Sequence, residues 1–81
     1  MKIPRSITGQ DLLKLLKPLG YTVARQTGSH IRIRTEIKGG HSETIPDHHP
    51  LKIGTLNKIL SNIANHFGIS KEELINKIFN Q

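Results

Sequence analysis

The sequence predicts an α+β fold in which a small antiparallel sheet carries helices on one face and leaves the other face bare. Three observations carry that prediction. Leu12, Leu15, Leu16 and Leu19 recur at the spacing of one helix stripe. Apolar and basic residues alternate strictly through the middle of the chain, as in a half-buried strand. A second Ile/Leu stripe runs from Leu56 to Phe67. The order of signals is α-β-β-β-α with a short additional C-terminal helix, and a sheet covered on one side only is the economical way to pack it. The chain has 81 residues, with 12 Lys+Arg against 6 Asp+Glu and a formal charge of +6. That length suits a single domain, read over 1–81.

Met1 to Ile7 reads as an extended lead-in. Thr8 is a helix N-cap with Asp11 as the acidic partner of a capping box, and Pro18 and Gly20 mark the end of this helix. Tyr21 to Gln26 is strand-like, and Thr27-Gly28 is a turn. Ser29 to Ile37 is the clearest strand, with Ile31, Ile33 and Ile37 on one face and His30, Arg32, Arg34 and Glu36 on the other. Lys38-Gly39-Gly40 reads as a hairpin turn, His41 to Ile45 as the returning strand stopped by Pro46, and Asp47 to Ile53 as a loop. Thr55 is the expected cap of the second helix, which Gly68 ends. Ser70 and Glu73 form the capping box of the last helix, with Leu74, Ile75, Ile78 and Phe79 as its apolar residues.

With no Cys, one Tyr, two Phe and no Trp, the core must be aliphatic, and neither disulfides nor thiolate zinc sites are open to the chain. No apolar run approaches a membrane span, and no signal-peptide pattern opens the sequence, so a cytoplasmic protein without membrane contact is expected. The positive surplus favours a polyanionic partner. Strand alternation localises part of it, because His30, Arg32 and Arg34 share a face about 7 Å apart. Guanidiniums hold phosphates bidentately, and a histidine beside them exchanges protons near neutral pH. Metal-free RNA cleavage needs that combination: a proton-transfer group for the ribose 2′-hydroxyl or the leaving oxygen, and cations for the developing charge. Gly28 lets a substrate backbone come close, and Ser29 can donate a hydrogen bond. Lys52 and Lys58 flank Gly54-Thr55 at a helix start, a further place for an anion. The bland alternative for this face is ordinary solvated charge.

Two rival constellations compete with this reading. His41, His48 and His49 with Glu43 or Asp47 suggest a zinc site, but adjacent histidines project in different directions and no helical His pair supports them. No metal or other cofactor is therefore expected. Residues 63–74 have a helix-turn-helix look, yet the second helix opens Lys71-Glu72-Glu73, and two acids there repel DNA phosphates.

Three segments together resemble the HicA toxins of toxin–antitoxin systems, which are small mRNA interferases. They are Thr8-Gly9-Gln10-Asp11-Leu12-Leu13-Lys14-Leu15-Leu16, then Arg25-Gln26-Thr27-Gly28-Ser29-His30, then Ile45-Pro46-Asp47-His48 with Leu51-Lys52-Ile53-Gly54-Thr55-Leu56. The resemblance implies a double-stranded-RNA-binding-domain-like fold, mRNA cleavage, and a HicB antitoxin that covers the active site, with DNA reached only through that antitoxin. It places the family's catalytic histidine at His30. Members often carry a second His directly afterwards, where this chain has Ile31, and many end soon after the second helix. The resulting expectation is a metal-independent endoribonuclease with His30 as general acid or base and Gly28, Ser29, Arg32, Arg34, Lys52 and Lys58 on the substrate. The alternatives are a non-catalytic RNA-binding module and a DNA-binding regulator built on the last two helices.

Overall fold

The structure, a computed structural model, describes residues 3–4 and 6–79. Helix α1 spans Gly9–Leu16 and tightens into a 3-10 turn over Lys17–Leu19. Strands β1 (Thr22–Thr27), β2 (His30–Thr35) and β3 (His41–Pro46) form one antiparallel sheet in the order β1-β2-β3. Helices α2 (Ile53–Phe67) and α3 (Lys71–Phe79) complete the chain. The α+β class and the element order are those expected, and the arrangement is compatible with a double-stranded-RNA-binding-domain-like fold. Part of the N-terminal lead-in (Met1, Lys2 and Arg5) and the last two residues lie outside the described residues.

Helix α1 begins as its sequence dictates. Thr8 Oγ1 accepts from Asp11 N at 3.0 Å and Asp11 Oδ2 accepts from Thr8 N at 3.1 Å, so both halves of the capping box are made. The Thr8 N–H that the carboxylate accepts, and next the Thr8 side chain beside it, hold the Asp11 carboxyl below the usual carboxylate range. The helix ends at Gly20, whose φ of 85° is the left-handed conformation that stops helices. Leu12 and Leu16 from α1, Ile31, Ile33 and Ile45 from the sheet, Leu56, Leu60 and Ile63 from α2, and Leu74 and Ile78 from α3 make an aliphatic core between helices and sheet. Each such side chain contributes roughly 1.5–3 kcal/mol by leaving water.

Several boundaries differ from expectation for identifiable reasons. Strand β2 stops at Thr35, which takes the inward position and is fully buried. Its hydroxyl donates to Leu19 O at 2.9 Å and accepts from Ile37 N at 3.2 Å, so the chain turns before Ile37 can join the inward face. Ile37 is therefore 47% exposed in the turn, not on the strand. Tyr21 precedes β1 and Thr27 belongs to it, and the turn residues are Gly28 and Ser29. Helix α2 starts at Ile53, two residues before Thr55, with Lys52 as an N-cap that provides no side-chain hydrogen bond. Packing of its first turns, not a polar cap, fixes that start. At α3, Ser70 Oγ accepts from Glu73 N at 3.0 Å as the capping motif requires.

The β3–α2 loop is pinned from both sides. Asp47 N donates to Ser29 O at 2.7 Å, which ties the loop to the β1–β2 turn. Gly9 N donates to His48 O at 3.1 Å and Leu51 N donates to Ile7 O at 2.7 Å, which tie it to the start of α1. Gly9 sits so close that a Cβ there would run into the carbonyl oxygen of Pro46 and lie 3.2 Å from Asp47 Cα, both backbone atoms that cannot rotate away. A Gly9→Ala variant is expected to lose about 2 kcal/mol of stability by overpacking, seen as a drop in Tm of roughly 10 °C. An unchanged melting curve would show that this contact does not constrain the loop.

Candidate functional site

The site follows from the register of β2. Ile31 and Ile33 are buried under the helices, so His30, Arg32 and Arg34 point to the uncovered face. On that face His30 lies opposite Thr27 of β1 and Pro46 of β3, Arg32 opposite Arg25 and Thr44, and Arg34 opposite Thr22 and Ser42. The tight turn at Gly28-Ser29 brings His30 back beside Thr27. Gly28 takes φ 59° there, in the region glycine enters most easily, and a Cβ at Gly28 would meet nothing within 4 Å. The approach to His30 over Gly28 is therefore open.

Arg25, Thr27, His30, Arg32 and Thr44 line a shallow depression of about 330 Å³. Arg32 Nη1 donates to Thr44 Oγ1 at 3.0 Å, which fixes the guanidinium while leaving its other donors toward the depression. Arg34 is engaged differently. Its Nε donates to Glu36 Oε2 at 2.6 Å and its Nη1 to Ser42 Oγ at 3.0 Å, so a carboxylate already balances its charge. Arg25 joins them from β1. The β1–β2 hairpin places it there: with Thr27 paired to His30 across the Gly28-Ser29 turn, Arg25 falls opposite Arg32, and only beyond it does a β-bulge at Ala24 shift the register to Val23 opposite Ile33.

The remaining sequence candidates divide between two places. Ser29 lies in the turn directly before His30, and its carbonyl accepts from Asp47 N. Lys52 is exposed at the end of the loop that leaves the His30 end of the sheet. Lys58 is exposed on α2, whose buried stripe faces the sheet, so it lies on the helix side and does not join His30. His48 and His49 are exposed in the same loop as Asp47, with His49 Nε2 at 4.0 Å from Asp47 Oδ1. Among the described residues no three His, Asp or Glu side chains converge as a metal-ligand group. On α3, Glu72 and Glu73 are exposed at the N-terminus, where a DNA-reading helix would need neutral or basic residues.

A second cluster lies on the helix-covered side, at the far end of β3. The rings of His41 and His66 stack with centroids 4.8 Å apart. His41 Nδ1 is 2.7 Å from the hydroxyl of buried Tyr21, and its Nε2 is 3.8 Å from Glu43 Oε2. His66 Nε2 is 2.9 Å from the Ile37 carbonyl, to which it donates in that tautomer. Asn62 Nδ2 donates to Glu43 Oε1 at 3.4 Å. Burial first, and then the neighbouring His66, hold His41 below the usual histidine range, while Glu43 opposes them. Burial likewise pushes the Tyr21 phenol up to about 12, with Glu43 adding to it. These groups join the end of β3 to α2 and the hairpin turn. Their partners come from distant parts of the chain, so no local sequence pattern announces them.

A family model described as "HicA toxin of bacterial toxin-antitoxin" matches residues 9–64, which hold the three strands, most of α2 and all of the His30 depression. No curated protein and no solved structure matches the chain.

The His41 cluster makes stability depend on pH in a definite direction. His41 binds its proton less readily when folded than when unfolded. Its contribution is therefore intact above the ordinary value of 6.5 and is lost as pH falls through the lowered folded value. Melting curves between about pH 7.5 and pH 5 should show the wild type losing Tm faster than a His41→Asn variant. Parallel losses in the two proteins would remove His41 as the cause.

Proposed function

The chain belongs to the HicA toxin family, the toxin half of a toxin–antitoxin pair, and we propose that it is an endoribonuclease that cleaves mRNA on the open face of its sheet. The observation that carries this reading is the depression where a titratable His30 stands beside Arg32 and Arg25, on a face that no helix covers. RNA has what such a site recognises, a phosphodiester with a hydroxyl next to it. The guanidiniums hold the phosphate and stabilise the charge that builds on its oxygens. The ribose 2′-oxygen forms a bond to phosphorus as the bond from phosphorus to the 5′-oxygen breaks. One proton leaves the 2′-hydroxyl and one reaches the departing oxygen, with no change in oxidation state. His30 is a proton-transfer group of this exchange, and the product carries a 2′,3′-cyclic phosphate.

Gly28 and Ser29 provide the close approach and a hydrogen-bond donor next to His30, and Lys52 extends the positive surface at the same end of the sheet. Lys58, on the helix side, has no part in this arrangement. Arg34 supports the face but is already paired with Glu36. The partner antitoxin is a HicB-type protein, and inhibition follows if it covers the depression and excludes the RNA backbone.

His30 is exposed and makes no hydrogen bond with another described side chain, so its replacement leaves the packing intact. A His30→Ala variant should keep its circular dichroism spectrum and Tm while losing RNA cleavage by about 10²–10⁴-fold, together with growth inhibition on expression. Cleavage at the wild-type rate would sink the assignment of His30. Retained RNA binding with no cleavage by either protein would leave a binding module in place of an enzyme.

A further inference from the structure

The open face holds a feature that neither strand pattern nor solubility explains. Arg25 and Arg32 are directly opposed on neighbouring antiparallel strands. Opposed side chains on such strands have Cβ atoms about 5 Å apart, and like charges in that relation are unfavourable. The opposition is fixed by the two-residue Gly28-Ser29 turn, which pairs Thr27 with His30 and therefore Arg25 with Arg32 on the open face. Among the described residues, neither guanidinium has an acidic partner. The ion pairs join Arg34 to Glu36, His41 to Glu43, and His49 to Asp47. Arg32 is steadied by Thr44, and Arg25 makes no hydrogen bond with another described side chain. Two pairs further along the same two strands, the next on this face, Thr27 lies opposite His30. Arg25 is thus the diagonal neighbour of His30, about 7–8 Å away at the backbone and within reach of a long side chain.

We propose that Arg25 and Arg32 form a two-guanidinium clamp for one phosphate of a single-stranded RNA, set by the Gly28-Ser29 hairpin turn at the spacing that presents this phosphate to His30. This rests on the open face being the RNA site, and it assigns to Arg25 a substrate-positioning role that strand alternation does not reveal. A phosphodiester bridging the two side chains shares its negative charge between them and offsets their repulsion, so the pair is arranged for its occupied state. Thr27 and Thr44, on the rim, add hydroxyl donors to the remaining phosphate oxygens. A lysine at position 25 would retain the charge without the planar fork that grips two oxygens at once.

The test is fluorescence anisotropy with a labelled short oligouridine whose riboses are 2′-O-methylated, so that it binds without being cut, at several salt concentrations. Wild type, Arg25→Gln, Arg25→Lys and Lys14→Gln are compared, the last removing one charge from the exposed side of α1. Arg25→Gln should weaken binding about tenfold and lower the slope of log Kd against log salt by about 0.7. Arg25→Lys should fall between it and the wild type, and Lys14→Gln should change little. Thermal melts should place Arg25→Gln at or above the wild-type Tm, since a repulsive pair is removed. If Arg25→Gln binds as Lys14→Gln does, the clamp is wrong, even where the wild type cleaves unmodified RNA and the enzymatic reading stands. If the wild type fails to cleave but Arg25→Gln weakens binding as stated, the clamp holds and only the enzymatic reading falls. Absence of RNA binding by the wild type overturns the clamp.

Discussion

Ile31 and Ile33 are fully buried in the middle strand, and the open face is the geometric consequence. A strand has a two-residue period, so fixing those two side chains under the helices fixes His30, Arg32 and Arg34 on the other side. A slip of one residue would bury two arginines and a histidine, at a cost far beyond what so small a core can supply. The same burial holds Ile45 opposite Ile31 and sets β3 in register. It thereby brings Thr44 against Arg32 and Ser42 against Arg34. Packing on one face of the sheet is what organises chemistry on the other.

Two local devices adjust this arrangement. The Gly28-Ser29 turn returns the chain so tightly that His30 stands at the very end of the sheet, where a phosphate backbone can approach without meeting a side chain at position 28. The same turn sets Arg25 opposite Arg32 on the open face, and the bulge at Ala24 shifts the register of Val23 and Thr22 before it. The β3–α2 loop, pinned between the turn and the start of α1, closes this end of the molecule. The surplus positive charge of the sequence is thus divided. Arg25 and Arg32 are concentrated beside His30, Arg34 is balanced by Glu36, and lysines such as Lys14 and Lys58 are spread over the helices.

How much of this could be read from the residues depended on whether the cause was local. The capping box of Thr8 and Asp11 and the alternation around Ile31 are encoded within a few residues, and both stand where the sequence puts them. Thr55 looked like a cap because Ser and Thr often are, yet α2 begins at Ile53 under tertiary packing with Lys52 in an extended conformation. Ile37 matched the strand period, but the Thr35 hydroxyl turns the chain before it. The bulge at Ala24 leaves no mark in composition or spacing, because an extra residue in a strand is visible only against its partner. The stacking of His41 on His66 joins residues 25 positions apart and depends on where β3 meets α2.

Membership in the toxin family gives the open face a biological setting. On the proposed reading, a free surface of guanidiniums beside His30 endangers cellular RNA until a partner covers it, which is the relation a toxin has to its antitoxin. The central claim is that this face cleaves RNA through the substrate's own 2′-hydroxyl, and analysis of the product ends tests it most directly. Digestion of a defined RNA strand, followed by mass spectrometry of the fragments, should give 2′,3′-cyclic phosphate and 5′-hydroxyl ends, with no cutting where the ribose is replaced by 2′-deoxyribose. Ends bearing 5′-phosphate and 3′-hydroxyl, or cutting that continues at the deoxy position, would contradict it.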